Sequence, residues 1–205
     1  NPIISKRQIN DEELRPRLIF SVTFSHTSVM MEKDLIETNG LEYKEEYKHA
    51  EDYKFWLNFS KYTKFANIPK VLFRYRYLET SVTRTADNAK NDQRYQTISS
   101  IFKEVLSELG IKNTEEENRL HFTIGLNERI AKETIDLKFL HKYLIKLIEA
   151  NKTEMVFHQR YLEQFLAMKF LVLVYYKIKK KDLSFLSAVF YGLFWRGVFG
   201  DLRVG

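Results

Sequence analysis

The sequence predicts an α+β protein in which helix predominates, with a partial α/β segment over residues 1–86 followed by a C-terminal helical bundle over 87–205. Two observations carry this expectation. Residues 64–68 and 71–77, separated by Pro69, are short runs rich in aromatic and β-branched side chains, the composition of half-buried strands. From about Asp87 onward, apolar residues instead recur at steps of three and four almost without interruption, which is the period of an amphipathic helix.

Residues 1–10 carry no clear signal, and 11–20 read as a short helix or loop around Pro16. Residues 29–32 suggest a short strand. It leads into a helix from Lys33 that stops at Asn39-Gly40, where glycine supplies a left-handed exit. The stretch 41–49 is charged and loop-like. Over 50–61, Asp52, Phe55, Trp56 and Phe59 are spaced by three and four and so share one helix face. Further helices are expected near 87–109, 114–132, 136–150, 153–179 and 182–199. Thr114 followed by Glu117 forms a capping box, and Asp136 and Asp182 are N-caps. Residues 170–176 are apolar all round, which predicts a central buried helix. A few short strands cannot make a self-sufficient sheet, so either a preceding half of the protein or the helices must cover them.

The chain has 205 residues, 44% of them hydrophobic, enough to bury a substantial core. Absence of cysteine excludes disulfides and thiolate metal sites. The five histidines, at 26, 49, 121, 141 and 158, lack the three- or four-residue pairing of a helical zinc site, so no structural metal is expected. Net charge is +6, and the excess is local. Lys177, Lys179, Lys180 and Lys181 immediately precede the apolar run 183–199, which contains Phe185, Leu186, Val189, Phe190, Leu193, Phe194 and Trp195 but also Arg196. That run is too short to span a bilayer comfortably. It suits an anionic membrane surface, contact through 177–199, or else packing on neighbouring helices or a second copy as a homo-oligomer. No nucleic-acid-binding signature occurs. The chain opens at Asn1 with no initiating methionine and no basic-then-apolar leader, and is expected to be a piece of a longer protein.

Chemistry centres on Glu51 and Asp52. Adjacent helix positions lie about 100° apart, so the two carboxylates cannot both face one small cleft, and one at most is placed for direct attack. Asp52 shares its face with Trp56 and Phe59 and lies in the first helical turn, where the helix dipole favours its charge, a suitable setting for a general base. The plainer alternative is that both acids only decorate a helix N-terminus.

Read together, His26-Thr27-Ser28-Val29-Met30, then Ala50-Glu51-Asp52 before an aromatic helix, then Tyr75-Arg76, resemble the acceptor-side part of a family 2, GT-A fold glycosyltransferase over about residues 20–84. The resemblance implies inverting transfer of a sugar from a nucleotide-sugar donor to a hydroxyl of a glycan or lipid-linked acceptor, with Asp52 as base. Glu51, His26 and Trp56 would then lie on the acceptor side, and Arg76, Ser81 and Arg84 would meet donor phosphates. It further implies Mn²⁺ or Mg²⁺ in the full-length enzyme, held by an Asp-x-Asp motif in an N-terminal half. No such motif occurs in this chain, and Leu78 stands where the family carries a metal-side histidine. No metal is therefore expected on this fragment, which should be inactive alone. Surface-polysaccharide or lipid-linked glycan synthesis, in the cytoplasm or peripherally at the inner face of the cytoplasmic membrane, is the implied setting. The rival from another class is a noncatalytic helical interaction scaffold.

Overall fold

A computed structural model of the chain describes residues 9–22, 24–72, 74 and 92–200. By compactness the chain divides into two units, Asn1–Lys103 and Glu104–Gly205. The boundary read from the sequence at 86/87 lies outside the described residues.

Every regular element among the described residues is a helix, and none is a strand. This corrects the α+β expectation: the GT-A-like α/β segment is not formed. The reason is physical. Strand-prone residues become a strand only when a neighbour offers a hydrogen-bonding ladder. Around 63–67 the backbone is satisfied otherwise. Arg15 Nη2 donates to the Thr63 carbonyl (2.8 Å), the Phe65 amide to Asp11 Oδ1 (2.9 Å) and the Asn67 amide to the Ile9 carbonyl (2.9 Å). Ile68, Val71 and Leu72 are exposed, and so is Met30 in the predicted strand 29–32, at 99%. Of the run 71–77, residues 73 and 75–77 lie outside the described set.

In the first unit, α1 (Asp11–Leu14) runs into a 3₁₀ helix, Arg15–Ile19. Helix α2 (Lys33–Thr38) ends as the sequence predicts, with Gly40 at φ 57° in the left-handed region. Helix α3 (Glu51–Phe59) puts Phe55, Trp56 and Phe59 into a core with Leu14, Leu18 and Phe65. Each such side chain contributes about 2–3 kcal/mol by leaving water. Arg15 locks the C-terminal end of α3 to α1. It grips Asp11 with Nε (2.9 Å) and Nη2 (3.0 Å) and donates from Nη1 to the Ser60 carbonyl. Helix α4 (Asp92–Glu108), of which the part up to Lys103 belongs to this unit, buries Ile98, Ile101 and Phe102.

In the second unit, α5 (Glu115–Gly125) starts at the predicted Thr114–Glu117 capping box. The chain breaks at extended Leu126, so the helix expected over 114–132 is two, α5 and α6 (Asn127–Lys132). Helix α7 (Leu137–Glu154) is capped by Asp136, which accepts from the Phe139 amide (2.7 Å), and ends at Met155 in the left-handed conformation (φ 52°). Helix α8 (Gln159–Lys179) is the longest. Its predicted enclosure is partial: Phe170, Leu173 and Val174 are buried, while Tyr175 is exposed. The last predicted helix is also two pieces, a 3₁₀ helix Leu183–Phe190 capped by Asp182, and α9 (Gly192–Phe199) packed on α8.

Candidate functional site

Three segments of the first unit bring the sequence-read residues together. The first is the approach to α3. A 3₁₀ turn, Glu45–Tyr47, is followed by His49 in the left-handed region (φ 65°), whose carbonyl accepts from Arg94 Nη1 (3.0 Å). The Ala50 amide bonds back to the Tyr47 carbonyl (2.8 Å), so the helix begins at Glu51. Ala50 offers no capping side chain. The two acids that follow complement the positive end of the helix.

Asp52 is half-buried. Its Oδ1 accepts from the Tyr53 amide (2.8 Å), which fixes the carboxylate against the first turn, and its Oδ2 accepts from no described residue. Glu51 is also half-buried, in the same turn. Tyr53 points the opposite way into the core, where its hydroxyl donates to the Leu18 carbonyl and burial drives its acidity far below that of an ordinary tyrosine.

The second segment is the loop carrying Tyr43. Its ring stacks on Phe55 (centroids 4.4 Å apart) and meets the edge of His26 at 5.4 Å. Burial, and then the charge of Asp52, raise the pKa of the Tyr43 hydroxyl, so carboxylate and phenol act on one another. The third is the 3₁₀ turn His26–Ser28, tied by Ser28 Oγ to the Ser25 carbonyl (3.1 Å). His26 is exposed, and its ring rests on Trp56 at 5.9 Å.

The outcome is an exposed pair, His26 and Tyr43, backed by an aromatic layer of buried Phe55 and Trp56 and half-buried Phe24, with Asp52 at its edge. Trp56 is 2% exposed and therefore lies behind the wall rather than forming its surface. Its Nε1 is buried without a hydrogen-bond partner among the described residues. Arg76, Ser81 and Arg84 lie outside the described residues. Tyr43 was not legible as a site residue, because it sits in an aperiodic charged loop and only its stacking on Phe55 in the folded chain brings it within the influence of Asp52.

Beside this surface, a polar cleft of about 230 Å³ is lined by Asn39, Glu42, Lys44, Asn58, Lys61 and Tyr62, among others. Its lining includes the residues on either side of Tyr43. A larger cleft, about 610 Å³, belongs to the second unit, lies between Arg160, Gln164, Trp195 and Phe199, and contains none of the residues read as catalytic or sugar-binding from the sequence. Among the described residues no group of three or more histidines and acids could hold a metal ion.

Compared with known proteins, the chain matches no family model, no curated protein and no solved structure at a significant level.

Proposed function

We propose that this chain carries the acceptor side of an inverting sugar transferase in which Asp52 is the general base. The observation that supports the reading is the convergence of Asp52, Tyr43 and His26, from three separate segments, on one surface of the aromatic core.

An acceptor hydroxyl needs two things to attack an anomeric carbon: a base at hydrogen-bond distance and a fixed orientation. Asp52 supplies the first, since the Tyr53 amide holds its Oδ1 and its Oδ2 accepts from no described residue. His26 and Tyr43 supply the second, as polar-edged rings against which a sugar can lie. The neighbouring amides, carboxylate and lysines of the 230 Å³ cleft offer donors and acceptors for further hydroxyls. As the new glycosidic bond forms, the proton passes to Asp52 and the bond to the nucleoside diphosphate breaks, leaving the product anomer inverted.

The test is turnover of nucleotide sugars by the full-length protein with glycan and lipid-linked acceptors, following nucleoside diphosphate release and reading the product anomer by NMR. Acceptor-dependent release with inversion is expected. Retention of configuration, or no acceptor-dependent release across donor classes, would refute the reading.

A further inference from the structure

The second unit ends in an exposed apolar ridge whose make-up is specific. In the 3₁₀ helix Leu183–Phe190, residues three apart eclipse one another, so Leu183, Leu186 and Val189 line one edge. All three are exposed, and Phe190 beside them is 86% exposed. In α9, Trp195, Val198 and Phe199 fall on one face at steps of three and four and are again exposed, with Trp195 and Phe199 stacked at 5.7 Å and 5°.

The two edges are joined, because Trp195 Nε1 donates to the Val189 carbonyl (2.8 Å). The surface continues onto α8. Met168, Leu171, Tyr175 and Ile178 recur at steps of three and four on one helix face, and Leu171 is the residue that lies against Gly197 of α9. Met168, Tyr175 and Ile178 are exposed.

Charge decides what covers such a ridge. Lys179, Lys180 and Lys181 are exposed at its start, and residues 183–199 contain no aspartate or glutamate and one cation, Arg196, which is paired with Glu163 of α8. Asp182, the one acid in 177–199, is already paired with Lys177 (2.6 Å). In a symmetric dimer through this ridge the second copy brings the same surface, in which 183–199 holds no carboxylate, and so offers these lysines no counter-charge. An anionic surface neutralises them.

The geometry points to a peripheral membrane site: residues 179–199 lie flat on a bilayer rich in anionic headgroups, with Leu183, Leu186, Phe190 and the Trp195–Phe199 pair in the interfacial zone and the three lysines among the headgroups. Among the described residues no helix is long and apolar enough to cross a membrane. The site stands independently of the chemistry proposed for Asp52.

The experiment is co-sedimentation of the full chain with vesicles of phosphatidylcholine alone, or with about 30% phosphatidylglycerol, at low and high salt. Wild type is expected to bind the anionic vesicles and to lose binding as salt rises. Leu186→Glu/Phe190→Glu should weaken partition at least tenfold. Replacing Lys179, Lys180 and Lys181 by Gln should cost roughly a hundredfold on anionic vesicles, at about fivefold per lysine, and leave binding to phosphatidylcholine unchanged. These side chains are exposed, and unchanged circular dichroism verifies that the variants fold. Equal binding to both vesicle types, no binding, or full binding by Leu186→Glu/Phe190→Glu would overturn the proposal. So would a concentration-dependent dimer that Leu186→Glu/Phe190→Glu abolishes while vesicles remain unbound, which would assign the ridge to a second copy.

Discussion

Replacing Asn151 by Ala should be among the costliest single changes in the second unit. Asn151 is buried near the end of α7, where the chain turns back toward α8. Its Oδ1 accepts from the Phe157 amide (2.8 Å), and its Nδ2 donates to the Phe157 carbonyl (3.0 Å) and to Gln159 Oε1 (2.7 Å). Phe157 is itself buried, so alanine strips partners from both of its backbone groups at once. A buried group left without its partner costs about 1–3 kcal/mol. Two such groups, with water recovering part of the loss, give about 2–4 kcal/mol. For a chain of this length that corresponds to a fall in Tm of about 5–15 °C. Asn151→Asp keeps the acceptor for the Phe157 amide but sets a charge against two oxygens, and should be destabilised at least as much near neutral pH. Urea unfolding followed by circular dichroism measures both. If Asn151→Ala lies within about 0.5 kcal/mol of wild type, the range of an inconsequential surface change, the reasoning fails.

Two further outcomes follow from local geometry and charge. A Cβ at Gly197 would lie 2.5 Å from Leu171 Cδ1 and 3.3 Å from the Ala167 carbonyl, so Gly197→Val should lose about 1–3 kcal/mol by forcing α8 and α9 apart, read as a lowered urea midpoint. Stability should also fall in acid in two stages. Burial holds the His141 pKa below the usual 6.5, so its contribution is full above that value and is lost as pH falls through the depressed pKa. Burial pushes Glu117 up, but the hydrogen bonds from Lys146 and the Thr114 amide and the nearby lysine charges outweigh it and leave its pKa lowered. The hydrogen bond from Lys177, with those of Ser184, holds Asp182 at about 2. Both acids stabilise above the ordinary carboxylate range and lose that contribution as pH falls through their depressed values. Unfolding midpoints measured from neutral to acid pH should show the histidine stage first, and His141→Phe should remove it.

Helix ends were the most legible part of the fold. Thr114, Asp136 and Asp182 cap where the sequence places them, because a cap is a local hydrogen bond between near neighbours. Breaks inside long apolar periods were not legible. The interruptions at Leu126 and Tyr191 leave the hydrophobic spacing intact, and the delay of α8 to Gln159 depends on the Asn151–Phe157 bonds. The strands failed for a different reason. Aromatic and β-branched content reports suitability for a ladder, and the ladder itself must come from elsewhere in the structure. Around 63–67, Arg15 and Asp11 take the place of strand partners. Of the candidate site, the sequence marks Asp52 and the aromatic stripe behind it by their helical spacing. It marks Trp56 equally, although packing hides that ring, and it does not mark Tyr43.

The most direct measurement is steady-state turnover by the full-length protein, comparing wild type with Asp52→Asn and Tyr43→Phe. Asn keeps the shape and the Tyr53 contact but cannot take a proton, so kcat should fall by about 10²–10⁴-fold with donor KM little changed. Tyr43→Phe should raise acceptor KM and leave kcat within about threefold, as expected for a group that orients the acceptor without moving the proton. A folded Asp52→Asn protein with undiminished kcat would contradict the account.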